Sequence, residues 1–261
     1  MILIPVYIFA GLGLFFGIVL AVASKLFAVK TDERIPMITD SLPGANCGGC
    51  GFSGCAALAE GIVNGKAACN ACAVGGDETA KKIAEIMGCA PSSSKKMRAF
   101  VGCSGCASAA HQKCDYEGAH DCLAASITDS GKACSFGCVG YGNCVAACKL
   151  GAISVSDGVA SVNPSKCTGC GACVDKCPKK LIRLIPADSA TEVGCSSKDK
   201  GAAAKKACDV SCVGCGICAK VCPKSAIEIK DNYAVIDHSK CDGCKICVEK
   251  CPRHAIKDLK P

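Results

Sequence analysis

Residues 241–252 read CDGCKICVEKCP, and residues 212–223 read CVGCGICAKVCP. Each stretch spaces its cysteines C-x2-C-x2-C-x3-C and follows the last with proline. In such a run three closely spaced thiolates cap one four-iron cluster, and the fourth reaches the cluster of a neighbouring run. Two runs in tandem make a two-cluster unit. Cys212, Cys215, Cys218 and Cys251 are expected on one cluster, and Cys241, Cys244, Cys247 and Cys222 on the other. Paired C-x2-C also suits tetrahedral zinc. Four thiols at this tight spacing, ending in proline and occurring twice, fit iron–sulfur ligation far better.

Outward from these runs the chain repeats itself. Residues 134–182 map onto 208–256 without a gap. Cys134, Cys138, Cys144, Cys148, Cys167, Cys170, Cys173 and Cys177 fall on Cys208, Cys212, Cys218, Cys222, Cys241, Cys244, Cys247 and Cys251. Such self-similarity marks duplication of a structural unit. Between the runs of each copy lies a short apolar hairpin. The first is expected over 152–155 and 159–162, turned at Asp157-Gly158. The second is expected over 227–229 and 234–236, turned near Asp231-Asn232.

The first copy is irregular. Cys167, Cys170, Cys173 and Cys177 form a regular run, and the first three with Cys148 complete one cluster. The partner run is C-x5-C-x3-C from Cys138. Tyr141 stands where the second copy has Cys215, and Lys149 replaces the proline. The cluster on Cys138, Cys144 and Cys177 therefore lacks its middle ligand. Cys134 is the candidate substitute. The alternatives are a three-iron cluster, a non-cysteine ligand, or no cluster.

A further set precedes the repeat. Cys47, Cys50, Cys55 and Cys72 give C-x2-C-x4-C-x16-C, with glycines that let the backbone bend closely around a cluster. Zinc is a rival on this spacing, and Cys69 is an alternative to Cys72. Cys69, Cys89, Cys103, Cys106, Cys114, Cys122, Cys195 and Cys208 are left over. Cys103, Cys106, Cys114 and Cys122 are near enough in sequence for another cluster, but their spacing matches no known run. Buried free thiols are an equal reading.

Residues 2–24 carry no charge and are long enough to cross about 30 Å of hydrocarbon. Lys25, Lys30 and Arg34 follow, placing the bulk of the chain on the cytoplasmic side by the positive-inside rule. A cleaved signal peptide would need a basic leader and a shorter apolar core. Gly13 and Gly17 have the small-xxx-small spacing that admits a neighbouring membrane helix, or are ordinary glycines of such a helix. A cytoplasmic site also keeps the 28 cysteines reduced and available to iron.

The formal charge of +7 counts cysteines as neutral. Four or five clusters of about two negative charges each would cancel it. The basic sum is no argument for nucleic acid, and no basic run is interleaved with aromatics. With no Trp, ligation energy has to stand in for part of a conventional core. Helices are expected over 56–63 and 78–87, and a linker over 90–96. No phosphate-binding or dinucleotide fingerprint occurs, so no flavin or nucleotide is expected on this chain. His111, His120, His238 and His254 read as surface histidines. Lys166, Lys176, Lys240 and Lys250 beside the runs either attract an acidic ferredoxin or are solvated surface.

The order of these parts resembles the B subunit of the Rnf complex. The resemblance rests on the leading apolar segment, residues 46–55 (NCGGCGFSGC), Cys72 before Gly75-Gly76, and the trailing ferredoxin runs. It covers nearly the whole chain. It implies a membrane-bound translocase that passes electrons between ferredoxin and NAD, coupled to sodium or proton movement. This chain would be its cytoplasmic iron–sulfur relay, with soluble ferredoxin and a flavin- and NAD-binding subunit as partners, and with no catalytic residues of its own. Family members commonly carry one ferredoxin pair; this chain would carry two.

The expected fold is α+β: one transmembrane helix (1–29), a small helical 4Fe–4S domain (30–92), and two tandem bacterial-type bicluster ferredoxin modules (98–190 and 191–261). About four to five 4Fe–4S clusters are expected. The alternatives are a membrane-anchored polyferredoxin serving a different dehydrogenase or hydrogenase complex, and a structural zinc-binding protein.

Overall fold

The computed structural model describes residues 3–26, 32–90, 95–128 and 131–260. Lys30 and most of the expected linker, 91–94, lie outside the described residues, as do 27–29 of the expected anchor. The chain mixes helices with short strands.

Helix α1 spans Leu3–Leu26. At 1.5 Å per residue it is about 36 Å long. Its described side chains are Phe9 and those of 11–25, and large apolar ones among them, such as Phe9, Leu14 and Leu20, are exposed. Among the described residues, no helix is long and apolar enough to cross a membrane.

The next unit is helical. It consists of α2 (Arg34–Ser41), α3 (Cys55–Val63) and α4 (Gly76–Met87). Leu58, Ala59 and Ile62 of α3 share one face, as do Thr79, Ala80, Ile83 and Ala84 of α4. They close on Ile38 of α2. Ile38 and Ile83 are fully buried, worth about 1.5–3 kcal/mol each. Asp77 and Glu78 favour the start of α4, and Gly88 ends it in the left-handed conformation at φ 65°. Both expected helices are present, each starting one or two residues earlier.

The remainder is two copies of one plan. The first copy runs β1 (Met97–Val101), α5 (Cys122–Thr128), α6 (Asn143–Ala147), β2 (Ile153–Ser156), β3 (Val159–Val162), α7 (Ala172–Lys176) and β4 (Ile182–Pro186). The second runs β5 (Thr191–Val193), α8 (Gly201–Ala207), α9 (Ile217–Val221), β6 (Ile227–Lys230), β7 (Tyr233–Ile236), α10 (Ile246–Glu249) and β8 (Ile256–Asp258). The hairpins β2–β3 and β6–β7 lie where expected. Asp157 and Gly158, and Asp231 and Asn232, all have positive φ, as tight antiparallel turns require.

The outer strand pairs were not expected. Strand β1 runs antiparallel to β4, from Met97↔Pro186 to Val101↔Ile182, and β5 to β8, from Thr191↔Asp258 to Val193↔Ile256. These partners sit at opposite ends of a module, so no turn chemistry announces them. The module start expected at 98 falls just inside β1. Each core is small and apolar: Val101, Ile153, Ala160 and Ile182 in the first copy, Val193, Ile227, Ala234 and Ile256 in the second. Thiols complete both cores.

Glu192 of β5 ties the copies together. It is 3% exposed, and Arg183 of β4 donates to its Oε1 at 3.0 Å. His238 lies 2.7 Å from its Oε2 and 3.2 Å from the Ser189 hydroxyl. His238 is thus a half-buried partner of a buried carboxylate and not a surface histidine. Burial raises the Glu192 carboxyl, but His238 and Arg183 outweigh it and hold it below its ordinary value.

Candidate iron–sulfur centres

The repeat puts each regular run on a short turn followed by one helical turn. Gly142, Gly171 and Gly216 precede α6, α7 and α9 in the left-handed conformation, at φ 80°, 82° and 74°. The middle cysteines Cys144, Cys173, Cys218 and Cys247 are buried at the starts of these helices. Cys148, Cys177 and Cys222 cap α6, α7 and α9, Cys251 follows the cap residue Lys250 of α10, and each of the four receives an amide from four residues on. Ala152 donates to Cys148 Sγ at 3.3 Å, Leu181 to Cys177 at 3.4 Å, Ala226 to Cys222 at 3.3 Å and Ala255 to Cys251 at 3.4 Å. Amide donors aimed at sulfur stabilise thiolate ligands and tune cluster potentials.

The thiols gather in quartets. Cys212, Cys215, Cys218 and Cys251 line one cavity of about 360 Å³, counting its open mouth. Burial pushes the Cys218 thiol up to about 11, and Cys212, Cys251 and Cys215 push the same way. Cys173 is also raised to about 11 by burial, then by Cys167, Cys170 and Cys148. Burial raises Cys247 too, joined by Cys241, Cys244 and Cys222. The fold thus places Cys251 with Cys212, Cys215 and Cys218, and brings Cys148 near Cys173 and Cys222 near Cys247. Four thiolates so placed repel one another in a low-dielectric site, and the positive charge of bound iron removes that penalty.

In the N-terminal unit, Cys47, Cys50, Cys55 and Cys72 line a cavity of about 350 Å³. Gly75 donates to Cys72 Sγ at 3.3 Å, and Asn46 Oδ1 accepts from the Cys55 amide at 2.8 Å. Cys69 is elsewhere: its sulfur lies 2.7 Å from that of Cys89. Cys170 of the first module also lines the N-terminal cavity. A Cβ on Gly49 would lie 2.5 Å from the Cys170 carbonyl oxygen, so only glycine allows this approach. Lys149 donates to the Asn46 carbonyl at 2.8 Å across the same seam.

The irregular site is completed by a cysteine that its spacing does not single out. Cys138, Cys144 and Cys177 line a cavity of about 400 Å³, and its fourth thiol is Cys122, at the start of α5. Burial raises Cys144 to about 11, with Cys138, Cys122 and Cys177 adding to it. Cys134, the substitute expected from the sequence, lines a different cavity. The delivery of Cys122 is built from the departures themselves. The Tyr141 ring stacks on His120 at 5.0 Å and lies 5.7 Å from Tyr116. Asn143, where the second copy has Ile217, accepts from the Cys122 amide at 3.1 Å and donates to Asp121 at 2.6 Å. One cluster on Cys103, Cys106, Cys114 and Cys122 is not formed, because Cys122 and Cys103 line separate cavities and Cys114 is exposed.

Among the described residues, no group of three or more His, Cys, Asp or Glu side chains is drawn together as a single metal ion requires. Three of the quartets line cavities instead. Two buried hydroxyls without hydrogen-bonding N or O partners fit sulfur-rich occupants. Thr191 Oγ1 faces Cys247, and Ser211 Oγ belongs to a residue lining a cysteine cavity.

Comparison with known protein families gives three matches. Residues 42–74 match the family described as "Putative Fe-S cluster", residues 160–183 a 4Fe-4S binding domain, and residues 211–256 a 4Fe-4S dicluster domain. Three curated relatives are similar over most of the chain. One is the B subunit of the Na(+)-translocating ferredoxin:NAD(+) oxidoreductase complex of Acetobacterium woodii, 48% identical over 92% of this chain and 72% of its own. Another is the B subunit of the ion-translocating oxidoreductase complex of Methanosarcina acetivorans, 42% identical over 89% of each chain. The third is the B subunit of the proton-translocating ferredoxin:NAD(+) oxidoreductase complex of Clostridium ljungdahlii, 42% identical over 87% of this chain and 81% of its own.

Proposed function

This chain belongs to the family of B subunits of ion-translocating oxidoreductase complexes, and we propose that it serves such a complex as the electron relay between reduced ferredoxin and the subunits that reduce NAD. When bound, a four-iron cluster takes up and releases one electron at a time. The chain's own residues hold, space and insulate such groups.

Five quartets carry the reading. They are Cys47, Cys50, Cys55 and Cys72; Cys122, Cys138, Cys144 and Cys177; Cys148, Cys167, Cys170 and Cys173; Cys212, Cys215, Cys218 and Cys251; and Cys222, Cys241, Cys244 and Cys247. The single strongest observation is that Cys122 completes the one quartet whose sequence lacked a ligand. Chance thiols would not restore a four-thiol cavity where Tyr141 removed one. Cavities ringed by separated thiols also favour clusters over a structural zinc ion.

The modules are proposed to span 30–92, 98–190 and 191–261. Helix α1 is proposed as a single-pass anchor, with the cluster modules on the cytoplasmic side. Support comes from the uncharged run of residues 2–24 and from the exposed apolar side chains of the described part of the helix. Exposed Lys166, Lys176, Lys240 and Lys250 offer an acidic ferredoxin a basic surface near the clusters.

The test is reduced-ferredoxin-dependent NAD reduction by the intact membrane complex. Cys50→Ala is expected to lower that rate at least tenfold without loss of complex assembly. An unchanged rate, or co-purification with a hydrogenase lacking flavin- and NAD-binding subunits, would overturn the reading.

A further inference from the structure

The five quartets leave eight cysteines. Cys69 and Cys89 pair with each other, Cys106 contacts the Ser108 hydroxyl at 3.1 Å, and Cys114 is exposed. The other four, Cys103, Cys134, Cys195 and Cys208, line a single cavity. Its volume, about 380 Å³ with its mouth, falls among those of the quartet cavities already described. We propose that Cys103, Cys134, Cys195 and Cys208 ligate a sixth four-iron cluster, seated between the two ferredoxin-like modules. The proposal rests on reading the other quartets as cluster ligands.

Each module supplies two of the four thiols from equivalent places. Val101-Gly-Cys103-Ser follows β1, and Val193-Gly-Cys195-Ser follows β5. Cys134 and Cys208 are the matching cysteines that precede the first run of each copy. Duplication alone accounts for keeping both pairs, but not for bringing them to one cavity. The segment around Ala110 does that. Asp209 donates to the Ala109 carbonyl at 2.8 Å and His111 to that of Ala207 at 3.0 Å, while Ala133 donates to His111 at 2.7 Å. Cys134 and Cys208 are thereby laced to the same strand of backbone.

The cavity has the lining of a cluster site. Every thiol accepts an amide: Cys103 from Cys138 at 3.3 Å, Cys134 from Phe136, Cys195 from Ser197 and Cys212, and Cys208 from Val210. Burial raises Cys134, Cys195 and Cys208, and each is raised further by another member of the set. Gly105 leaves room where a Cβ would lie 3.3 Å from Cys208 Sγ and 3.7 Å from Cys103 Sγ. Ser211 is 2% exposed, lines the cavity, and has no hydrogen-bond partner for its hydroxyl.

Lys132 completes the case. Its side chain is buried at the cavity edge. Nζ donates to the carbonyls of Gly105, Cys138 and Gly158 at 3.1, 2.9 and 2.9 Å. All three are neutral acceptors. Among the described residues no carboxylate pairs with it; a buried ammonium without an anion is costly, and a cluster of about two negative charges beside it would offset that cost.

The position gives the site its meaning. The Cys138 amide that binds Cys103 Sγ belongs to a ligand of the first module, and the Cys212 amide that binds Cys195 Sγ to a ligand of the second. The sixth quartet therefore joins the two modules through direct ligand-to-ligand contacts. Electron passage there takes up one electron and gives up one, with no bond or proton exchanged.

Anaerobic native mass spectrometry of the full chain, with iron and sulfide analysis, tests this. Six clusters are expected in the wild-type protein, five in the double variant Cys195→Ala/Cys208→Ala, and six in Cys106→Ala. Five clusters in the wild type, or an unchanged count in the double variant, would overturn the proposal while leaving the five-quartet reading intact. Zinc in place of clusters would overturn both. Should the double variant not fold, the wild-type count of six or five still decides.

Discussion

Cys122 reaches its quartet because two side chains clamp the segment that carries it. Tyr141 stacks on His120, and Asn143 accepts from the Cys122 amide. Cys122→Ser is expected to convert one four-iron centre to a three-iron centre, seen by EPR in the oxidised protein. Adding Tyr141→Cys restores the regular spacing and is expected to abolish that signal. Persistence of the signal in the double variant would contradict this assignment. The lost ligand was legible at Tyr141, because the second copy has Cys215 there. Its replacement was not, since Cys122 lies before residue 134, outside the stretch that repeats without a gap. The available signal was the pair of neighbouring departures, Tyr141 and Asn143. Cys69 illustrates another limit. Its spacing rivals that of Cys72, and only the fold shows that it faces Cys89 while Cys72 faces the cavity. Burial and Cys89 push the Cys69 thiol up to about 11, so it is expected to alkylate slowly at neutral pH.

At the level of elements, periodicity and turn residues made the helices α3 and α4 and both hairpins legible. The outer strand pairs and the docking seams were not, because they join residues distant in sequence. Two seams are testable. Gly49 packs directly on Cys170, so Gly49→Ala is expected to weaken docking of the N-terminal unit by about 1–3 kcal/mol. Rapid-mixing reduction should then show the N-terminal cluster exchanging electrons with the others more slowly, with the cluster count unchanged. Glu192 holds the second seam. Glu192→Ala leaves Arg183 without its buried partner and is expected to cost about 3–5 kcal/mol in urea unfolding. The Glu192 carboxyl is lowered from 4.5 in the folded chain. Its contribution is therefore fully present above pH 4.5 and is lost as pH falls through the lowered folded value. The advantage of the wild type over Glu192→Gln should shrink over that acid range.

Across the whole molecule, contacts link thiol groups of neighbouring units. The N-terminal quartet meets Cys170, Cys170 shares a module with Cys138, Cys138 touches Cys103, and Cys195 touches Cys212. Such links suit a protein that collects electrons at one end and delivers them at the other. The formal charge of +7 belongs to this picture, since thiolate-bound clusters turn it to near neutral or negative. If α1 anchors the protein, the full chain should resist alkaline extraction from membranes and a chain lacking 1–26 should not. The central claim, that these cysteines hold iron–sulfur clusters, is met most directly by iron and acid-labile sulfide analysis of the anaerobically purified chain. Equal amounts of the two, about 20 or more of each per chain, are the expected result. Zinc without acid-labile sulfide would contradict it.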